Sequence, residues 1–107
     1  MTQYLLDACA LIAVTNDEPC TDKVLDLIEQ AKTGDIRIFI SIVQLLEFYY
    51  DRIYVSGKHE ARKHAETVLE DPITIIETIS YPVMYDAGRF KTAYSMSLAD
   101  AILCAVA

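Results

Sequence analysis

With 107 residues and 53% hydrophobic content, the chain has ample apolar side chain for one core, and a single domain over residues 1–107 is expected. Its nine Lys and Arg against sixteen Asp and Glu leave a net charge of −7. This excludes a broad grip on phosphates, because nonspecific nucleic-acid binding is driven by basic side chains displacing counterions; any nucleic-acid chemistry must be local. Cys9, Cys20 and Cys104 are odd in number and never form a CxxC pair, so neither a disulfide framework nor a zinc site is indicated. MTQYLLD has no basic stretch, and charged residues interrupt every apolar run before about 18 residues. A soluble, cytoplasmic protein with no membrane association is expected.

In chain order, Tyr4–Leu6 reads as a short strand ending at Asp7, and Ala8–Val14 as a brief helix broken by Thr15-Asn16-Asp17. Pro19 suits the first turn of a second helix, with Asp17, Glu18 and Asp22 near its positive end and Gly34 as its stop. Ile36–Ile40 is a β-branched strand. Ser41 and Gln44 have the spacing of a capping box and open the helix SIVQLLEFYYDRIY, apolar almost all round and ended by Ser56-Gly57. Lys58–Glu70 predicts a helix with a narrow apolar stripe of Ala61, Ala65, Val68 and Leu69, stopped by Asp71-Pro72. Ile73–Glu77 reads as a third strand, Pro82–Tyr94 as a helix, and Ser97 as the start of the last one.

Strands alternating with helices predict an α/β fold, a three-layer α/β/α sandwich around a central parallel sheet, with ligands at the C-terminal edge of the strands. Asp7 falls just past the first strand, Glu47 in the apolar helix after the second, and Asp100 in the first turn of the last helix, each among residues expected to be buried. Helix capping is the competing role for Asp7, and for Asp100 with Ser97; a snorkelling or salt-bridged side chain is the competing role for Glu47. Two carboxylates about 4 Å apart repel by roughly 4 kcal/mol at an effective dielectric near 20, so three together call for protonation, separation or a cation. Oxygen ligands without His or Cys favour Mg²⁺ or Mn²⁺ over zinc.

The segments YLLDACALIAV, SIVQLLEFYY and SLADAILCAVA, in that order, resemble the three acidic motifs of the PIN-domain ribonucleases, especially the VapC-type toxins of toxin-antitoxin pairs. The resemblance implies an endoribonuclease in which Asp7, Glu47 and Asp100 are the catalytic metal ligands, Mg²⁺ or Mn²⁺ the cofactor and RNA the substrate. It also implies a homodimer and a cognate antitoxin that occupies or distorts the site. In the family a Ser, Thr or Asn often follows the first aspartate, whereas Ala8 and Cys9 stand here. Family members also continue past the SLADA helix into another parallel strand and a loop with a fourth acid. The 1–107 chain is therefore expected to be a truncated or incompletely ordered form of a longer protein, lacking the C-terminal strand and fourth acidic motif. The alternative is a non-catalytic PIN-like module that binds an antitoxin or RNA.

The stretch KHEARKHAE is read as a solvated helix face, and His59 and His64, five apart, do not make a metal pair. Tyr49, Tyr50 and Tyr54 are assigned to core or interface packing, and Cys9 to a small buried thiol without a nucleophilic role.

Overall fold

The computed structural model describes residues 2–19 and 21–107. Three strands, β1 (Thr2–Leu6), β2 (Ile36–Ser41) and β3 (Ile73–Ile76), form a parallel sheet in the order β1-β2-β3. Five helices accompany them: α1 (Ala8–Thr15), α2 (Thr21–Lys32), α3 (Ile42–Glu70), α4 (Tyr81–Ala93) and α5 (Leu98–Val106).

The register aligns Leu6 with Ile40 and Ile40 with Ile75, which puts one apolar row of each strand on a common face. Ile36, Ile38 and Ile40 alternate with less buried neighbours along β2, and with Leu11, Val24, Ile28, Phe48 and Val68 they build the main core under α1, α2 and α3. The opposite face is only partly covered. Leu5, Phe39 and Ile76 border a cavity of about 410 Å³ with Val106 at the end of α5. There α5 pairs with α4 through a second, smaller cluster of Ala87, Ala101 and Ile102.

Helix α3 carries the predicted break at its centre: Gly57 has φ 84 and ψ 167, a backbone conformation that glycine adopts without a Cβ penalty. The two halves on either side of it correspond to the two helices expected from the sequence. Beyond the break, Arg62 pairs with Glu66 and Lys63 with Glu60 on the exposed surface, so this stretch is the solvated face its composition suggested.

Before α2, Asp17 takes φ 52 and the Glu18 amide donates to the Ala13 carbonyl at 2.9 Å, while the Thr21 amide donates to the Glu18 carbonyl at 2.9 Å across Pro19; the expected start of this helix falls partly outside the described residues. Asp tolerates the left-handed region, so the chain can reverse there. One local expectation fails: Ser41 and Gln44 do not form a reciprocal capping box. Ser41 caps α3 by accepting from the Val43 amide at 3.1 Å, and Gln44 turns its side chain into the interior. Ser97, by contrast, caps α5 at the expected position, its Oγ accepting from the Asp100 amide at 3.1 Å.

Candidate active site

The C-terminal edge of the sheet delivers the acidic residues. Asp7 follows directly on β1 and caps α1, its Oδ1 accepting from the Ala10 amide at 2.9 Å; its side chain is half-buried. Glu47 lies in the second turn of α3, between buried Phe48 and exposed Leu46, and is itself half-buried. Asp100 sits in the first turn of α5 and is exposed. Two of the three therefore stand at helix N-termini, where the aligned peptide dipoles favour negative charge.

All three act on one neighbouring group. The Cys9 thiol is pushed above its ordinary value, first by the Asp7 carboxylate, then by partial burial, then by Glu47, Asp100 and Glu18. The backbone beside two of them is joined to α3: Gln44, one turn before Glu47, bonds the Ala8 amide next to Asp7 and the Ala99 carbonyl next to Asp100. Cys9 itself is exposed, contrary to the expectation of a small buried thiol. Alkylation of Cys9, followed against pH in a Cys20→Ser, Cys104→Ser background, is expected to show a midpoint above the usual value of about 8.5. Since the raised value reflects repulsion of the thiolate, Asp7→Asn should bring the midpoint down. A midpoint at the ordinary value in both proteins would place the acids elsewhere.

Among the ion pairs of the described residues, none involves Asp7, Glu47 or Asp100. The buried Arg52 near the middle of α3 is engaged instead by Asp51 and by Asn16, whose Oδ1 accepts from Nη1 at 2.9 Å. That tether holds the α1–α2 turn, and with it Glu18, against α3. Among the described residues no three His, Cys, Asp or Glu side chains stand at ligating distance of one point. The donor set nonetheless suits a hard divalent cation, which binds through one or two carboxylates and retains water in the rest of its shell.

Sequence reasoning missed two residues. Glu18 reads as a helix-dipole acid but contributes to the acidic field at Cys9. Gln44 reads as half of a capping box but is 2% exposed, with Oε1 accepting from the Ala8 amide at 2.8 Å and Nε2 donating to the Ala99 carbonyl at 3.3 Å. The available signal was its place one turn before Glu47 in an apolar run.

Comparison with known proteins adds the family. The PIN domain model matches residues 4–107. The chain belongs to the PIN-domain family. In fold it is similar to VapBC2 from Rickettsia felis, in a crystal structure bound to a DNA fragment from their promoter, with TM-score 0.73 and 19% identity over 97% of this chain and 79% of that one. It is also similar to VapC20 of Mycobacterium tuberculosis, a Sarcin-Ricin loop cleaving toxin, with TM-score 0.69 and 13% identity over 98% of this chain and 80% of that one. The comparison with curated protein sequences finds no match. The three-strand parallel sheet with its helices is thus the PIN-like α/β fold expected from the sequence. Among the described residues, no helix is long and apolar enough to cross a membrane.

Proposed function

We propose that this PIN-domain protein is a metal-dependent endoribonuclease that hydrolyses RNA phosphodiester bonds as the toxin of a toxin-antitoxin pair in the cytoplasm. The observation that supports this reading is that Gln44, one turn before Glu47, hydrogen-bonds Ala8 beside Asp7 and Ala99 beside Asp100, in a family member, with no basic side chain paired to any of the three acids among the described residues. The fold likeness to VapC20, a toxin that cleaves the Sarcin-Ricin loop, supports RNA as the substrate class.

Asp7, Glu47 and Asp100 are the residues that would hold Mg²⁺ or Mn²⁺. A divalent ion there supplies charge neutralisation and Lewis acidity toward a phosphodiester. The chain's own contribution is positional. The cap on Ala10 fixes Asp7, α3 carries Glu47 on a rigid frame, and the Ser97 cap holds the turn that presents Asp100. With a net charge of −7, the protein has little general attraction for RNA, and a cation at this patch would relieve the local repulsion of the phosphates.

A homodimer and an antitoxin are the proposed protein partners, and exposed apolar surface supports them. Tyr50 and Tyr54 meet edge to face, with centroids 6.4 Å apart, but Tyr54 is 86% exposed. On α4, Tyr81, Met84 and Tyr85 are also exposed. Side chains of this size in neighbouring turns mark a surface that a partner covers.

The test is incubation of a labelled single-stranded RNA with the protein in Mg²⁺ or Mn²⁺ and in EDTA. Internal cleavage is expected only with the ion. RNA binding without metal-dependent cleavage would instead identify a non-catalytic PIN-like binding module.

A further inference from the structure

Gln44 joins the backbone on either side of the acidic patch. The residue is 2% exposed, and its two side-chain hydrogen bonds reach partners 36 and 55 residues away in the chain. Ala8, whose amide donates to Oε1, directly follows Asp7; Ala99, whose carbonyl accepts from Nε2, directly precedes Asp100. Gln44 itself lies three residues before Glu47, on the same side of α3. One side chain therefore ties together the three backbone segments that carry the carboxylates.

We infer that Gln44 is a positioning residue, setting the separation of Asp7, Glu47 and Asp100 at which a divalent cation is held. The inference rests on the proposed metal-dependent reading. Its physical basis is the chemistry of the amide. Only a side chain with both a donor and an acceptor can satisfy the first-turn amide of α1 and the first-turn carbonyl of α5 at once. An apolar residue of similar length would pack beside Leu45 and Phe48 but leave the Ala8 amide unpaired and α5 free to shift against α1. The acids touch none of Gln44's polar atoms, so its effect on the cation passes through the backbone, as with the outer-shell groups that orient metal ligands.

The test measures Mn²⁺ binding directly, by electron paramagnetic resonance of the free ion, in the wild type, Gln44→Met, Gln44→Asn and Thr21→Val. Thr21 is also buried, and its Oγ1 donates to the Ala13 carbonyl at 3.1 Å, at the end of α1 opposite Asp7; its loss controls for destabilisation alone. Gln44→Met is expected to raise the Mn²⁺ dissociation constant by about tenfold or more, the size of effect seen for outer-shell residues. Gln44→Asn, one methylene too short to span both partners, should shift it in the same direction by less. Thr21→Val should lower the unfolding midpoint and leave Mn²⁺ affinity unchanged. Should the Met variant fail to fold, Gln44→Asn decides by the same criterion. Wild-type affinity in the Gln44 variants, or an equal loss in Thr21→Val, would overturn this inference alone. A wild type that takes up no Mn²⁺ would overturn the proposed function and this inference together.

Discussion

Asp100→Asn is expected to reduce metal-dependent RNA cleavage by about 10²-fold or more while leaving the unfolding midpoint at or slightly above the wild-type value. The two halves of this expectation have separate causes. The side chain is exposed, outside the ion pairs of the described residues, and the cap of α5 is made by the Ser97 hydroxyl to the Asp100 backbone, so an isosteric amide removes no structural contact. What it removes is one of the negative charges that act on Cys9, which eases repulsion in the metal-free protein. Asp7→Asn should behave alike, because Asn accepts from the Ala10 amide nearly as well as Asp does. A capping role alone predicts unchanged cleavage for both. Cleavage assays at saturating Mg²⁺, paired with thermal unfolding, distinguish the outcomes.

Phe48→Ala is expected to have the largest effect on stability. Phe48 follows Glu47 on α3, is 1% exposed, and belongs to the cluster that seals the sheet with Leu6, Ile38 and Ile40. Removing the ring leaves a cavity, at a cost of about 3–5 kcal/mol. For a domain of this size that lowers the unfolding midpoint by more than about 12 °C. Leu46→Ala, at a position 56% exposed on the other side of Glu47, should change stability by less than about 0.5 kcal/mol. Chemical denaturation of both variants checks the contrast, and equal losses would mean that α3 presents a different side to the sheet. Glu47 lies at the boundary between these two environments, which is why it is half-buried and able to face a site.

Much of this arrangement was legible in the sequence because it depends on local pattern. The β-branched run Ile36–Ile40 had no alternative to a central strand, and Gly57 and Ser97 mark a helix break and a helix start by backbone chemistry that acts within a few residues. Asp7, Glu47 and Asp100 stood out because carboxylates are costly among apolar neighbours. Gln44 was misread for the complementary reason. Its spacing from Ser41 satisfies a local rule, and only the tertiary approach of Ala8 and Ala99 offers it better partners. The turn at Asp17 is likewise held by hydrogen bonds back to α1 that no feature of the second helix announces. Of the tyrosines of α3 assigned to core or interface packing, Tyr50 and Tyr54 lie outside the core, because nothing else in the described chain covers that side.

A divalent cation held between three carboxylates is tested most directly by the anomalous scattering of Mn²⁺ in crystals of the wild-type protein. The predicted result is a strong peak bounded by the side chains of Asp7, Glu47 and Asp100, lost in Asp100→Asn crystals soaked in the same way. A map with no peak at this edge of the sheet, or with Mn²⁺ bound only at other acidic residues, would contradict it.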